Sequence, residues 1–365
     1  MRALGLMSGT SMDGIDAAIL ESDGETLTGI GATAYEPYSE EDRAVIRAAM
    51  AAATSIDDRH ARPGPLADAE IRVTERHAEV VRQMIDRVGP IDVIGFHGQT
   101  VFHAPDRHLT IQIGDGQRLA EAAGVPVIFD LRADDVAAGG EGAPLAPVYH
   151  RAVARHAGLA LPAAIVNIGG VANVTWIGPD GTLAAFDTGP GNALMDDWMR
   201  RRTGERFDAD GLLAGRGKVS EQVLARLLDH PYFALSWPKS LDRDAFSLDP
   251  VAGLSLEDGM ATLSAFTVET VAQSLELVPQ IPVRVIVTGG GAHNPTLIAN
   301  LQNRLGLPVD TMNSTGFDAD FIEAQAFAYC AIRSLRGLPI TFPGTTGAPR
   351  PLTGGIRVDP NGDGD

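Results

Sequence analysis

The residues best suited to chemistry begin near the amino terminus, in the segment GLMSGTSMDGID at positions 5–16. Apolar stretches precede and follow a loop of small residues and hydroxyls, which predicts a β-hairpin. Small residues let backbone N–H groups approach a phosphate closely, and hydroxyls add hydrogen bonds. Asp13 and Asp16 would repel a bare phosphate, so they favour a metal–phosphate ligand. An ordinary hairpin turn is the alternative, since turns contain the same residue types.

A second candidate is the carboxylate of Asp187, in the segment FDTGPGN. We expect a strand to end at Phe186 and a Gly-Pro-Gly turn to lead into a helix near Asn192. A helix N-terminus favours an anion, because its N–H groups are unpaired and its dipole end is positive. An acid just before such a site is placed as a general base for phosphoryl transfer. A simple strand-end cap is the alternative for Asp187.

A third segment, RVIVTGGGAHNP, predicts a buried strand, three glycines (Gly289, Gly290 and Gly291) and a helix. Glycines at the carboxyl end of a strand let a planar or anionic group lie against the backbone. The spacing is not GxGxxG, and no acid follows where a dinucleotide fold needs one. Tight packing of strand against helix would select the same residues.

Two polar clusters, FHGQTVFH and DLRADD, follow predicted strands. His97 and His103 raise a metal hypothesis, but no third ligand has suitable spacing, which favours hydrogen-bonding roles. Arg132 either forms a structural ion pair or holds a ligand carboxylate in a bidentate fashion. Glu323 is a single acid on an otherwise apolar helix, where it is either exposed or directed into a cleft.

The composition limits the partners of this chain. Of its 365 residues, 44% are hydrophobic and 21% are charged, as in globular proteins, and the net charge is −18. That charge argues against nucleic acid or an anionic membrane as the main partner, but not against a nucleotide. Lys218 and Lys239 are the only lysines and neither follows GxxxxG, so a P-loop is absent.

The single cysteine and the amino-terminal segment indicate the cellular compartment in which the protein is expected. Cys330 excludes an intramolecular disulfide and, among apolar neighbours, is expected to be a buried helix residue. Glycine and serine interrupt the first apolar run, which argues against a signal peptide, and no apolar segment reaches membrane-spanning length. A cytoplasmic location is expected.

Strand and helix signals alternate along the chain, which indicates an α/β architecture. The predicted strands are 2–8, 14–22, 26–35, 91–96, 125–130 and 182–187, with a strand pair in 101–113, and the predicted helices are 66–88, 115–123, 148–157 and 322–335. The run 163–177 repeats the opening strand, glycine turn and strand, which predicts two related domains that each open with a hairpin. The terminal DPNGDGD, 359–365, predicts a polar tail rather than a calcium loop.

The motifs GLMSGTSMDGID, GFHGQT, QIGDG, DLRADDVAAGGEGAPLAP, VNIGGVANVT, FDTGPGN and VTGGGAHNP, with the Glu323 segment, resemble those of anhydro-N-acetylmuramic acid kinases, in the same order. The resemblance runs from residue 5 to about residue 335. It implies an α/β fold of two actin-like (ribonuclease H-like) domains flanking an interdomain nucleotide cleft. The expected domains are 1–150 plus 325–365, and 151–324.

The resemblance also implies an activity. Water opens the 1,6-anhydro ring of anhydro-N-acetylmuramic acid while ATP phosphorylates O6, giving N-acetylmuramic acid 6-phosphate and ADP in the recycling of cell-wall sugar. Asp187 would activate the water. Asp13 would lie near Mg²⁺, bound to it either directly or through water. The small-molecule sugar is the expected partner, and the oligomeric state is left open, with a homodimer as one option.

The remaining site residues carried over by motif fall into two sets. The ATP set is Gly9, Thr10, Ser11, Met12, Asp13, Gly14, Ile15, Asp16, Gly169, Gly189, Gly191, Asn192, Gly289, Gly290, Gly291 and Asn294. The sugar set is His97, Gln99, Thr100, Arg132 and Glu323. Two alternatives stay open: an ordinary sugar kinase of the same fold that acts on a free hydroxyl, and an actin-like ATPase without a sugar substrate.

Overall fold

The structure is a computed structural model that describes residues 1–237 and 239–360. The chain divides into two compact units. The first comprises Met1–His156 and the chain from Phe321 onward, and the second comprises Ala157–Asp320. Residues 361–365 of the predicted polar tail lie outside the described part. The functional domain boundaries expected from the sequence stay a prediction.

The first unit opens with a hairpin and then alternates helices and strands. Its elements are β1 (Arg2–Ser8), β2 (Gly14–Ser22), β3 (Leu27–Pro37), α1 (Glu40–Ala53), α2 (Pro65–Val88), β4 (Val93–Ala104), β5 (Leu109–Ile113), α3 (Gly116–Ala123), β6 (Val127–Phe129), α4 (Ala133–Ala137) and α5 (Pro147–His156).

The second unit repeats this plan. Its elements are β7 (Ala163–Ile168), β8 (Val171–Ile177), β9 (Leu183–Pro190), α6 (Ala193–Thr203), α7 (Glu221–Leu228), α8 (Leu256–Glu276), β10 (Arg284–Thr288), α9 (Pro295–Leu305) and β11 (Val309–Thr311). The chain then returns to the first unit with α10 (Ile322–Leu335), α11 (Pro343–Thr346) and β12 (Ile356–Val358).

The two sheets share one topology. In the first unit the strands lie in the order β3-β2-β1-β4-β6, extended by β12, with β5 paired to β4. In the second the order is β9-β8-β7-β10-β11. In both sheets the first strand pairs antiparallel with the second and parallel with the fourth. The prediction of an α/β chain with two related domains, each opening with a hairpin, is therefore confirmed.

Helix α10 lies unusually close to the sheet of the first unit. Gly5 of β1 and Gly95 of β4 are paired in register on neighbouring strands. A Cβ atom on Gly5 would lie 1.8 Å from the carbonyl oxygen of Ala324, and one on Gly95 would lie 2.1 Å from that of Phe327. Because backbone cannot yield like a side chain, these two glycines set the depth at which α10 packs, and with it the start of the helix, which carries Glu323.

Several predicted boundaries are wrong. The sequence HGQT was expected beyond a strand end, but β4 continues through it to Ala104, because the strand changes partner from β1 to β5 near Gln99. Asp187 was expected at a strand tip, but β9 continues to Pro190. Helix α1 was not predicted, although Ser39 and Asp42 form a capping box at its start.

Apolar packing supports each unit separately. The first has a core of strand and helix residues that includes Leu4, Leu6 and Val81, and the second has one that includes Val166, Phe186 and Leu297. Cys330 is fully buried on α10, as predicted, and burial raises the pKa of its thiol to about 12. No helix within the described residues is long and apolar enough to cross a membrane.

Candidate active site

In the first unit, the loop between β1 and β2 is fixed by hydrogen bonds that its carbonyl oxygens accept from neighbouring residues. The Gln99 amide donates to the carbonyl of Gly9 at 3.0 Å, and the guanidinium of Arg43 donates to that of Met12 at 3.1 Å. The backbone N–H of Tyr38 donates to the carbonyl of Asp13 at 3.0 Å. In a planar trans peptide the N–H points opposite to the carbonyl, so the N–H of Thr10 points away from Gln99. The N–H of Thr10 therefore points to the outer side of the loop, whereas that of Met12 donates to the Gly9 carbonyl at 3.1 Å.

The same loop rests on a buried polar network. Ser8 is fully buried, and its hydroxyl donates to Oε1 of Gln99 at 2.6 Å. The hydroxyl of Tyr38 donates to Ser8 Oγ at 3.2 Å, and burial raises the pKa of Tyr38. Gln99 is itself fully buried, with both ends of its amide bonded to the loop. Gln99 thus supports the loop between β1 and β2, while its predicted contact with sugar stays a prediction.

The predicted ATP residues of this loop differ in exposure. Gly9 and Met12 are half-buried, and Thr10, Ser11 and Asp13 are exposed at the tip. Gly14, Ile15 and Asp16 belong to strand β2, and Ile15 is part of the apolar core. The Ile15 side chain therefore cannot meet a ligand, which leaves the side chains of the tip and of the half-buried Asp16 at this end of the motif.

His97 and Arg132 form a second polar centre in the first unit. Arg132 donates from Nε and Nη2 to Nε2 of His97 at 3.1 and 3.0 Å, and from Nη1 to the carbonyl of Gly142 at 2.8 Å. A ring nitrogen that accepts from a guanidinium carries no proton, so the proton lies on Nδ1 and is donated to the Gly98 carbonyl at 2.8 Å. Burial and the charge of Arg132 lower the pKa of His97 well below its ordinary value.

The ring of Phe327 on α10 lies beside this pair. Its centroid is 4.6 Å from that of His97 and 5.8 Å from Cζ of Arg132. Of the five N–H groups of Arg132, three donate to His97 and Gly142. Among the residues that the structure describes, this leaves one N–H on Nη1 and one on Nη2 to bind an acceptor in a bidentate fashion.

Glu323 lies in the first turn of α10 and keeps an exposed surface. The protein around it removes part of its hydration, which raises its pKa, and the nearby charge of Arg132 opposes that change. The hydroxyl of Thr100 accepts a hydrogen bond from Gln112 at 3.2 Å. The structure therefore places Arg132 within electrostatic range of both His97 and Glu323.

In the second unit, the predicted glycines meet at the carboxyl ends of β7 and β10. The N–H groups of Gly191 and Asn192 donate to the carbonyls of Gly170 and Gly169 at 2.9 and 2.7 Å. A Cβ atom on Gly191 would lie 2.2 Å from the Gly169 carbonyl oxygen. Two N–H groups that were expected to bind an anion are thus already bonded to the neighbouring turn, so the contact of these residues with ATP stays a prediction.

The other ATP candidates of this unit pack beside that turn. A Cβ on Gly290 would lie 3.2 Å from the Asn192 amide nitrogen, and one on Gly291 would lie 2.5 Å from Cβ of Ile168. Gly289 packs against the Asn167 amide, and Gly189 against Thr270 of α8. Asn294 caps helix α9, where Oδ1 accepts from the Leu297 N–H at 3.0 Å.

Asp187 lies in a row of polar residues that crosses four strands. It pairs with Asn173 of β8, which pairs with Asn167 of β7, which pairs with Thr288 of β10. A bulge at Thr188 follows directly, because Ala172 pairs with Gly189. Residues that are paired across neighbouring strands share a face of the sheet. The row therefore crosses the sheet near the carboxyl ends of β7 and β10, where the glycine turns begin. Asn167 was missed because the order of the strands cannot be deduced from one strand's sequence.

One segment near Asp187 was also missed. The backbone N–H of Leu241 donates to Oδ2 of Asp187 at 2.8 Å, and the hydroxyl of Tyr232 donates to the Asp187 carbonyl at 2.6 Å. The backbone carbonyl of Lys239 accepts a hydrogen bond from the Asp187 N–H at 3.1 Å. No motif marks these residues, so sequence reasoning had no signal for them.

The structure also bears on a metal ion. Within the described residues, no three His, Cys, Asp or Glu side chains are grouped to hold one. The His97 and His103 pair is occupied by Arg132 and by Thr110, which agrees with the hydrogen-bonding roles favoured above. The exposed carboxylate of Asp13 fits a Mg²⁺ ion whose other ligands are phosphates and water.

Comparison with known proteins decides the family. The family model for anhydro-N-acetylmuramic acid kinase matches residues 1–358. The chain belongs to the anhydro-N-acetylmuramic acid kinase family. Members from Methylobacterium nodulans and Azorhizobium caulinodans are each 53% identical, over 99% of this chain and 100% of the relative, and one from Rhodospirillum rubrum is 53% identical over 97% and 93%.

Membership confirms the family that the motifs indicated and makes the chain a kinase with an alcohol acceptor. The two-unit fold described above is the actin-like, ribonuclease H-like fold expected of the family. Among solved structures, an activator of 2-hydroxyisocaproyl-CoA dehydratase from Clostridium difficile with bound ADPNP is similar at a TM-score of 0.46 and 13% identity, over 92% of this chain and 96% of that one.

Proposed function

We propose that this protein uses ATP to phosphorylate O6 of anhydro-N-acetylmuramic acid while water opens the 1,6-anhydro ring, with Asp187 as the base. The observation that carries the base assignment is the placement of the Asp187 carboxylate. It lies at the end of the sheet from which the glycine turns begin, and one of its oxygens accepts a hydrogen bond from the Leu241 N–H. A base must be held in one orientation to act on one water molecule.

The chemistry joins two events. Asp187 takes a proton from water as the water oxygen attacks the anomeric carbon, and the bond from that carbon to O6 breaks. O6 gains negative charge as it leaves, and it attacks the γ-phosphoryl group of ATP. The oxygen–phosphorus bond to ADP then breaks. Each event removes charge that the other produces, so the pair proceeds without a free alkoxide.

The loop between β1 and β2 is the proposed phosphate site. The Thr10 N–H and the hydroxyls of Thr10 and Ser11 would donate to ATP phosphates. Asp13 would hold Mg²⁺ through water, and the ion would neutralise charge on the phosphates. The glycines at 289–291, with Asn294, would border the adenosine.

The centre of His97 and Arg132 is the proposed sugar site. The two N–H groups left on Arg132 suit the lactyl carboxylate of the substrate, because a guanidinium binds a carboxylate in a bidentate manner. Glu323 and Thr100 would meet hydroxyl or amide groups of the sugar. His97, being neutral, orients Arg132 without adding charge.

Reaction in ¹⁸O-labelled water tests the proposal. We expect one labelled oxygen at the anomeric carbon of the phosphorylated product. Unlabelled product, or phosphorylation of N-acetylmuramic acid but not of the anhydro sugar, would instead establish an ordinary sugar kinase. The Asp187→Asn variant should bind both substrates normally while turnover falls by about 10²–10⁴-fold. Near-normal turnover in that variant would refute the base assignment.

A homodimer and a cytoplasmic location also belong to this proposal. Sedimentation in the presence of ATP tests the first, because a dimer and a filament differ in mass. ATP turnover that depends on the sugar would exclude the actin-like ATPase without a sugar substrate.

A further inference from the structure

Residues 230–237 and 239–241, here named the strap, lie along β9, the outermost strand of the second sheet, at Asp187. Strand β9 is the edge strand of that sheet, so the backbone groups that face away from β8 need other partners. At Asp187 the strap supplies them: the Lys239 carbonyl accepts from the Asp187 N–H, and the Tyr232 hydroxyl donates to the Asp187 carbonyl. Both backbone groups of one residue are thereby held by one segment.

The strap also reaches the side chain. The Leu241 N–H donates to Oδ2 of Asp187 at 2.8 Å. Three hydrogen bonds from one segment therefore converge on a single residue, and one of them is to the carboxylate itself. A carboxylate that accepts a backbone N–H is favoured in its charged form and is limited in rotation about its side-chain torsions.

Aromatic packing fixes the strap against Phe186, the residue before Asp187. The ring of Trp237 stacks on that of Phe186 with a centroid distance of 6.1 Å and an angle of 9°. The Lys239 ammonium lies 4.6 Å from the centroid of the Tyr232 ring and 6.0 Å from that of Phe186. Tyr232 and Lys239 are buried, and the Trp237 indole N–H donates to the Leu277 carbonyl at 3.1 Å. The strap is thus anchored at Trp237, between the residues that contact Asp187.

We propose that the strap positions the catalytic base, with Tyr232 and the backbone N–H of Leu241 as the positioning groups. This inference rests on the proposed function, in which Asp187 acts on water. Tyr232 holds the backbone of the base, and Leu241 holds its carboxylate with one oxygen turned from the water. Neither group touches a reacting atom, so each acts through Asp187.

Two variants separate these contributions. Tyr232→Phe removes the hydroxyl and keeps the ring. We expect kcat to fall about tenfold, as for one lost hydrogen bond that is required in the transition state, with KM for ATP and sugar within about twofold. Leu241→Pro removes the N–H donor. We expect the acidic limb of the kcat/KM profile to move up by about one pH unit, because the charged carboxylate loses a donor.

Matched controls are available for both. Tyr329→Phe removes a hydroxyl that donates to the Glu25 carbonyl at 3.3 Å, a bond of the same kind in the first unit. Glu221→Pro adds a proline at the exposed first position of α7 in the second unit, outside the strap, where the backbone N–H has no acceptor within the helix. Both controls should keep kcat and the pH profile of the unaltered protein.

The outcomes distinguish the two proposals. If Asp187→Asn retains turnover, Asp187 is not the base and both fail. If Asp187→Asn is inactive while Tyr232→Phe keeps kcat within twofold and Leu241→Pro leaves the pH profile unmoved, the strap proposal alone is overturned. If Leu241→Pro does not fold by circular dichroism, the kcat and KM of Tyr232→Phe decide.

Discussion

Arg132 directs two of its N–H groups at the same nitrogen of His97, at 3.1 and 3.0 Å. This pairing makes His97 a neutral acceptor and sets the plane of the guanidinium. A lysine at position 132 could not reproduce it, since an ammonium has no planar fork. The orientation of the proposed carboxylate-binding groups therefore depends on a histidine that need not touch the ligand.

We expect Arg132→Lys to raise KM for the anhydro sugar by about tenfold or more while KM for ATP changes little, because bidentate recognition of a carboxylate is lost. Steady-state kinetics with each substrate varied in turn measure this. The matched control is Arg59→Lys, since Arg59 is also a half-buried arginine of the first unit but pairs with Asp130. Equal increases in both KM values for Arg132→Lys would contradict the assignment.

Gln99 gives a prediction that separates two roles. Gln99→Leu removes the hydrogen bonds to Ser8 and Gly9 that support the loop between β1 and β2, the proposed phosphate site. We expect KM for ATP to rise several-fold and the free energy of unfolding to fall by about 1–3 kcal/mol, since buried partners are left unpaired. The control Gln112→Leu removes bonds to Thr100 and Thr110 instead. A rise in KM for sugar alone would favour the direct sugar contact expected from the motif.

Buried histidines predict the response of stability to acid. Burial lowers the pKa of His77 and His103 to about 4 and that of His150 to about 3, from an ordinary value of 6.5. Between about pH 4 and pH 6.5 the unfolded chain therefore binds more protons than the folded chain. The part of the unfolding free energy that comes from keeping these histidines neutral is present in full above pH 6.5 and is lost progressively as the pH falls towards 4. Urea unfolding across this range measures the loss.

One variant tests the source of that pH dependence. In His77→Gln the group that titrates is removed from a fully buried position. We expect the slope of unfolding free energy against pH, between about pH 4.5 and 6, to fall by about 1.4 kcal/mol per pH unit, the value for one proton. An unchanged slope would assign the acid sensitivity to other groups.

Asp13 gives a prediction about the metal ion. Chelation of divalent ions should abolish phosphoryl transfer, and added Mg²⁺ should restore it. Asp13→Asn should raise the Mg²⁺ concentration needed for half-maximal rate, while kcat at saturating Mg²⁺ falls less, because phosphates and water supply the remaining ligands. An unaltered Mg²⁺ requirement would place the ion elsewhere.

The sequence predicted the parts of the site that depend on local pattern. The hairpin loop, the polar position of Asp187 and the helix of Glu323 follow from alternation and glycine spacing. The two-unit plan follows from the repeated hairpin start. These features need only residues that are neighbours in the chain.

Other parts depend on contacts between distant segments. Tyr232 and Leu241 reach Asp187 from more than forty residues away, with separations of 45 and 54 positions. The hydrogen bond by which Gln99 supports the loop between β1 and β2 spans 90 positions. Such contacts depend on strand order and side-chain direction, which no single segment encodes. The extension of β9 beyond Asp187 was missed because glycine and proline usually end strands, whereas here a bulge continues the pairing.

Gly95→Ala tests the packing of helix α10. A Cβ atom there would lie 2.1 Å from a backbone oxygen, so the helix must move. We expect a loss of at least about 1–3 kcal/mol in unfolding free energy and a rise in KM for the sugar, because Glu323 moves with the helix. Gly253→Ala is the control, since no atom lies within 4 Å of its added methyl group. Unchanged stability in Gly95→Ala would contradict the close packing.

Gly5 has a consequence for how this family is recognised in genomes. The first glycine of GLMSGTSMDG is required by the close approach of α10, and not by the loop between β1 and β2 that makes the motif conspicuous. The motif thus combines two separate structural requirements. A homologue that keeps the loop but carries a larger residue at this position will have its last long helix displaced, and should be counted among candidates for lost or altered substrate use.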